Sequence, residues 1–167
     1  MLLRRICACR YVVKLRLPEH ICQGVCVILP LMATTENVSL HLLFRALADP
    51  IRLRLLNLIA DREICVCYLV EILKLNQPKI SRHLAYLRRA GIVRARRDGK
   101  WMHYRLAIPR DKVAAGILEE TIKHLRQKPE MNADVSRLGA ACCSPQEFEG
   151  LERAPQPIVI GNPPSAR

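Results

Sequence analysis

The chain has 167 residues, and its 27 lysines and arginines against 15 aspartates and glutamates give a net charge of +12. Half of the residues are apolar, which excludes a wholly disordered basic chain. No apolar run reaches the roughly 18 residues of a membrane-spanning helix. The length allows one domain with tails and a real core. The charge makes nucleic acid the first partner to consider and an anionic membrane surface the second.

Residues 1–31 differ from the rest because they mix basic, β-branched and cysteine residues without helical or strand periodicity. They do not fit a signal peptide, since charges interrupt the segment and its apolar run is short. Our preferred interpretation is that translation starts at Met32 and that residues 1–31 are upstream sequence. The alternative is a metal-binding arm that uses their four cysteines. A chain starting at Met32 would carry a net charge of +8 and four cysteines.

Apolar periodicity and capping residues predict a helical domain over residues 38–128. Its elements in chain order are a helix over Leu40–Leu47, one from Pro50 to about Ala60, one over Val66–Leu73, one from Asn76 to Gly91, a β-hairpin over Ile92–Leu106, and a long helix opened by Pro109. Residues 129–167 are predicted to form a tail that holds a short helix to about Ala141. We expect this tail to be largely disordered after residue 145, where prolines are frequent.

Two helices joined by a three-residue turn and followed at once by a hairpin have the order of a winged helix-turn-helix. The fold class is therefore predicted to be mainly α with one β-hairpin. Between Gln77 and Arg105 there are nine basic residues and one acid, a net charge of +8. If translation starts at Met32, the rest of the chain is neutral. The basic excess then lies on the two elements that would contact duplex DNA.

The candidate DNA-contacting residues follow from this placement. On the fourth helix, apolar residues face inward and leave an exposed N-terminal part, while basic residues surround the hairpin turn. The predicted contacts are Gln77, Lys79, Ser81, Arg82 and His83 on the helix and Arg96, Arg97 and Lys100 at the turn. His83 is equally consistent with an ordinary surface residue. We expect His103 in the hairpin to be structural or to face phosphate.

Cys65 and Cys67 stand at the start of the helix that precedes the predicted recognition helix. Residues two apart on an α-helix point away from each other, so we expect chelation of one soft ion by both thiols to require unwinding of the first turn. Ion binding would then alter the neighbouring DNA-contacting helix. The alternative is that both cysteines serve as small, half-buried apolar side chains.

The chain resembles the ArsR/SmtB family of metal-responsive repressors, and specifically its arsenite-responsive members. The stretches that carry the resemblance are LFRALADPIRLRLLNLI, EICVCYLVEIL, NQPKISRHLAYLRRAGIV and RRDGKWMHYRL, which together cover residues from about 40 to 128. The resemblance implies a homodimer formed by the first and last helices of the domain, bound to an inverted-repeat operator. The apolar residues on those helices are Leu40, Leu43, Phe44, Leu47, Ile117, Leu118 and Ile122.

The resemblance also implies that As(III) or Sb(III), bound through Cys65 and Cys67, is the inducer that causes release from the operator. No organic cofactor is expected. The arsenite-responsive members often carry a third cysteine in this helix, but Val70 occupies that position here. Our preferred third ligand is Cys142 or Cys143 of the tail, and the alternatives are a small exogenous ligand or a tail pair unrelated to the site.

Other function classes give different expectations. A regulator could respond to oxidation of the two thiols, or to Cd, Pb or Zn, in place of arsenite. An enzyme is not expected, because the chain has no C-x-x-C motif and no glycine-rich phosphate loop beside a cysteine. The close spacing of the cysteine pairs does not fit a disulfide framework, so we expect a reducing, cytoplasmic location.

Overall fold

A computed structural model describes residues 39–160, and the predictions made for residues 1–31 lie outside this range. The elements in chain order are α1 (Leu40–Leu47), α2 (Pro50–Ile59), β1 (Arg62–Cys65), α3 (Val66–Leu73), α4 (Gln77–Arg89), β2 (Val93–Asp98), β3 (Trp101–Leu106), α5 (Lys112–Leu125), α6 (Pro129–Cys143) and β4 (Ile158–Val159), with a 3-10 turn at Pro145–Glu147.

Capping residues set the starts of α2 and α4, as predicted. The Asp49 side chain accepts a hydrogen bond of 2.9 Å from the Arg52 backbone N–H, and Pro50 takes the first helical position of α2. The Asn76 side chain accepts from the Lys79 backbone N–H at 3.0 Å. Each bond satisfies a backbone donor that the first turn of a helix leaves free.

The predicted start of the long helix at Pro109 was wrong. The carboxylate of Asp111 accepts hydrogen bonds from the backbone N–H groups of Val113 and Ala114 at 2.7 and 2.9 Å, so α5 begins at Lys112. Proline suits a first helical position, but the residue whose side chain caps the helix fixes where the helix begins.

The four strands form one antiparallel sheet in the order β2-β3-β1-β4. β2 and β3 are the predicted hairpin, here called the wing, with Asp98 paired to Trp101 at the turn. β1 and β4 were not predicted. β1 has four residues and is a strand only because it pairs with β3, with Cys65 opposite His103. Because its partner β3 lies far along the chain, the residues of β1 do not by themselves indicate a strand.

The core lies between α2, α3 and α4 and the inner face of the sheet. Leucine and isoleucine dominate it, and its fully buried members include Leu55, Leu56, Ile64, Leu69, Ile72, Ile80, Leu84 and Leu87. The inward residues predicted for α4 are therefore confirmed. Burial of this many branched side chains anchors α4 and the wing to one rigid base.

α6 packs on α2 and α3, which corrects the predicted domain boundary at residue 128. Met131, Leu138 and Ala141 are buried, and the Asp134 carboxylate receives two hydrogen bonds of 2.7 Å from Arg54. The chain then continues to β4, and Leu151 is buried on the way. Up to residue 160 the prediction of a disordered tail was wrong, because this segment has its own apolar contacts. None of the described helices is long and apolar enough to cross a membrane.

Candidate functional site

Cys65 and Cys67, here called the thiol pair, lie where β1 joins α3. Cys65 is the last residue of the strand and caps the helix with extended dihedrals, φ −65° and ψ 144°. Its Sγ lies 3.2 Å from that of Cys67. The expectation that the two thiols point apart was wrong, because it gave Cys65 a helical conformation that it does not have.

This separation fits one thiophilic ion without unwinding of α3. Two metal–sulfur bonds of about 2.3 Å span a sulfur separation of this size at an angle of about 90°. Cys65 is fully buried and Cys67 is partly exposed. An ion can therefore reach the pair from the Cys67 side.

The electrostatics of the thiol pair favour ionisation of Cys65. A hydrogen bond from the Cys67 thiol, together with backbone N–H groups that include Met102, lowers the pKa of Cys65 from 9.0 to about 7. The same contact raises the pKa of Cys67, because its proton is held by the neighbouring sulfur. The pair therefore shares one proton near neutral pH, and a thiolate is the form that binds soft ions.

No group of three metal-ligating side chains is already assembled within residues 39–160. Of the two cysteines proposed as a third ligand, Cys142 is partly buried at the end of α6, whereas Cys143 is exposed. The Tyr68 side chain is fully buried. Burial raises the pKa of Tyr68, and the charges of Cys142, Cys65 and Cys67 raise it further.

A row of side chains crosses the sheet from the thiol pair to the wing. In the antiparallel register, His103 of β3 pairs with Cys65 of β1 on one side and with Arg96 of β2 on the other. Paired residues of antiparallel strands share a face, so these three side chains, here called the cross-strand row, are neighbours. His103 is buried, which supports the structural expectation for it and excludes a position facing phosphate.

Glu63 is a buried acid on the same face of β1, and sequence reasoning missed it. It accepts a hydrogen bond of 2.8 Å from Arg96 Nε, and Arg96 also contacts Asp98 at 3.1 Å. Arg96 is therefore held within the wing. The short segment between α2 and α3 did not indicate a strand, so nothing in the sequence singled out Glu63.

The α4 residues predicted to reach DNA differ in their exposure. Gln77 and Arg82 are exposed, whereas Lys79 and Ser81 are partly exposed. His83 is turned towards the N-terminus of α2, where its Nδ1 lies 3.4 Å from the carboxylate of Asp49. This contact ties His83 to the start of α2, which neither the predicted DNA contact nor the alternative of an ordinary surface residue had anticipated.

At the wing turn, Arg97 and Lys100 are both exposed. Arg97 donates to the Gly99 carbonyl at 3.0 Å, and the Lys100 ammonium lies 4.9 Å from the centre of the Trp101 ring. Neither contact buries the charge. Both side chains can therefore face a phosphate backbone.

The residues predicted for a dimer interface fall into two groups. Leu43, Leu118 and Ile122 are buried in the protomer's own core. Phe44, 56% exposed, and Leu40 lie on the surface of α1, and Leu47 and Ile117 are partly buried. Val113 of α5, which was not predicted, is 61% exposed.

Comparisons with known proteins show which proteins this chain is similar to. Residues 49–95 match the family described as bacterial regulatory protein, arsR family. The chain is 43% identical over 103 residues to the arsenical resistance operon repressor of Escherichia coli, which spans 61% of this chain and 86% of that protein. It is 56% identical over 72 residues to the arsenic resistance transcriptional regulator ArsR1 of Pseudomonas putida, across 42% of this chain and 56% of that relative's length. Among solved structures, HlyU from Vibrio cholerae is 29% identical, with a TM-score of 0.47, over 56% of this chain and 99% of that one.

Proposed function

The chain belongs to the arsR family of bacterial regulatory proteins, and on that premise we propose that arsenite or antimonite, bound at Cys65 and Cys67, releases it from its operator. It is a DNA-binding transcriptional repressor of this family and not an enzyme. The observation that carries the proposal is the 3.2 Å separation of two sulfurs at the base of the helix-turn-helix. A repressor acts where the DNA is, so we place it in the cytoplasm.

We propose that α4 and the wing contact duplex DNA together. Gln77 and Arg82 have the exposure needed to reach base edges, and Arg and Gln can make bidentate contacts there. Arg97 and Lys100 would contact the phosphate backbone, which fixes the register of the protein on the duplex. The net charge of +8 over residues 77–105 supports a strong electrostatic component.

The third ligand that we propose for a trivalent ion is Cys142 of the same protomer. α6 packs against α3, and Cys142 is partly buried, whereas Cys143 points to solvent. Soft thiolates select soft ions, so a third sulfur would favour arsenite over harder competitors.

We propose that the repressor is a homodimer that binds an inverted repeat through α1 and α5. The exposed apolar side chains of Leu40, Phe44 and Val113 support this surface, because large apolar groups exposed together mark an interaction site. Sedimentation equilibrium of the ion-free protein is expected to give twice the mass of the chain. A protomer mass at the concentrations that bind operator would contradict it.

The test of the ion site is an operator-release titration under full reduction. Arsenite should release the unaltered protein, whereas Cys65→Ser and Cys67→Ser should bind operator normally and remain bound. Cys142→Ser should need more arsenite for release, and Cys143→Ser is the matched control beside it. Equal effects of these two variants would remove Cys142 from the site, and loss of operator binding in Cys65→Ser would refute the switch assignment.

The same titration separates the second candidate function, a thiol-redox regulator. The contact between the two sulfurs and the low pKa of Cys65 favour oxidation as well as ion binding. A redox regulator would ignore arsenite under reduction and leave the operator when an oxidant is added. Repetition of the titration with Cd(II), Pb(II) and Zn(II) gives the order of ion preference.

A further inference from the structure

His103 is a buried imidazole whose polar atoms have no partner among residues 39–160. Its exposed fraction is 2%, and neither Nδ1 nor Nε2 makes a hydrogen bond there. Leaving a buried polar group unsatisfied costs about 1–3 kcal/mol. Native proteins give nearly all buried polar groups a hydrogen-bond partner, so the unpartnered imidazole of His103 is a candidate for a functional role.

The position of His103 suggests what its partner is. His103 is the middle member of the cross-strand row, with Cys65 on one side and Arg96 on the other. The backbone N–H of Met102, the next residue back along β3, contributes to lowering the pKa of Cys65. β3 pairs with β1 directly at Cys65, and the imidazole stands between the thiol pair and β2, the outer strand of the wing.

Ion binding changes the hydrogen-bonding capacity of the thiol pair. Without the ion, the two sulfurs lie 3.2 Å apart and share one hydrogen bond, so the pair satisfies itself. An ion replaces that proton, so both sulfurs are held as thiolates and neither of them donates a hydrogen bond. A ring N–H beside them then has two ionised sulfurs as possible acceptors, in place of a pair that already shares a proton.

We propose that His103 transmits occupancy of the thiol pair to the wing by donating a hydrogen bond to an ion-bound sulfur, which shifts β3 and, through the cross-strand contact, Arg96. His103 is a positioning residue in this proposal, which rests on the ion-responsive function proposed above. Arg96 is already restrained by Glu63, two residues before Cys65 on the same strand. A shift of β3 against β1 thus changes the contacts of a wing arginine directly.

The test uses Trp101, the one tryptophan of the chain, as a reporter, because it begins β3 next to Met102. Its fluorescence is followed while arsenite is added to the ion-free protein without DNA. Ion binding is measured separately as protection of the thiols from a thiol reagent, and operator affinity is measured with and without arsenite.

The decisive variant is His103→Leu, with His103→Phe as a second apolar replacement if the first does not fold. Either variant should bind operator as the unaltered protein does and should still bind arsenite through Cys65 and Cys67, yet lose the Trp101 response. The factor by which arsenite weakens operator binding should fall about tenfold or more, within the usual range of coupling between sites. His103→Gln keeps an N–H donor and should restore part of both responses.

Tyr104→Phe is the matched control, since Tyr104 is the next residue of β3 but faces the opposite side, where it pairs with Ile64. It should keep the full response. If His103→Leu binds the ion, releases operator and shifts Trp101 fluorescence like the unaltered protein, His103 has no part in transmission, although the proposed function stands. If arsenite does not release even the unaltered protein, the proposed function fails first.

Discussion

Asp134→Ala measures how strongly α6 is fixed to the rest of the domain. Both carboxylate oxygens accept hydrogen bonds of 2.7 Å from Arg54, and the Asp134 side chain is only 3% exposed. Removal of one partner of a buried ion pair costs about 3–5 kcal/mol. Arg54 is 31% exposed and can regain water, so we expect a loss of about 2–3 kcal/mol in the free energy of unfolding.

Urea unfolding of the full chain, followed by circular dichroism, gives this value. At a typical slope of about 2 kcal/mol per molar, the midpoint should fall by about 1 M. Glu120→Ala is the matched control, because Glu120 pairs with Lys123 at 3.5 Å and both side chains are more than two thirds exposed. Its expected cost is below about 0.5 kcal/mol.

Equal midpoints for Asp134→Ala and Glu120→Ala would show that apolar contacts such as Leu138 hold α6 and that the ion pair adds nothing. A lower slope without a midpoint shift would mean that α6 separates locally before the domain unfolds. In the expected case, arsenite affinity should also fall, since α6 carries Cys142. If the thiol pair binds the ion without Cys142, the arsenite affinity of Asp134→Ala should not fall.

Two further predictions concern DNA contact and proton binding. Arg82→Ala should weaken operator binding by about 1–3 kcal/mol in a mobility-shift titration. Arg89→Ala, at the other end of α4, is the control and should weaken operator binding less. Equal losses in the two variants would contradict a base contact by Arg82. Thiolate absorbance should rise through a step near pH 7 as Cys65 ionises, and Cys67→Ala should move that step up towards 9, because the donated hydrogen bond lowers the Cys65 pKa. An unchanged step in Cys67→Ala would show that the backbone donors alone stabilise the thiolate.

The helices were predictable because their information is local. The N-cap residues Asp49 and Asn76 indicated the starts of α2 and α4, because their short side chains accept hydrogen bonds from the first turn. The apolar spacing of Ile80, Leu84 and Leu87 indicated the buried face of α4. Local signals did not give the correct start of α5, because two residues close together, of which Pro109 is the first, are both typical of a helix start. Only the hydrogen bonds of Asp111 distinguish them.

The burial of α6 was less predictable, since its apolar positions are few. Met131, Leu138 and Ala141 leave wide gaps, and the charged Asp134 lies among them. The Asp134 carboxylate can be buried because it pairs with Arg54, a residue of α2 that sequence periodicity places on a solvated face. A long-range ion pair of this kind cannot be read from either helix alone.

The geometry of the thiol site depended on a pairing that the sequence does not display. Cys65 was assigned to a helix because the residues that follow it are helical, but pairing with His103 holds it in an extended conformation. That single difference in backbone conformation brings the two sulfurs together. It also brings Glu63 and His103 close to the thiol pair, whereas the sequence analysis had considered only His103, as a residue of the hairpin.

The thiol pair lies at the junction between β1 and α3, and this position determines how a bound ion can affect the rest of the domain. Cys65 belongs to β1, which is paired with the wing, while Cys67 belongs to α3, which leads through a three-residue turn to α4. An ion that fixes the distance and angle between the two sulfurs therefore constrains the strand relative to the helix. Because each side of this junction carries one of the two elements that we propose to contact DNA, a small change there would alter the spacing between the wing and α4. Release follows without unfolding of either element, provided that the ion binds the DNA-free arrangement more tightly.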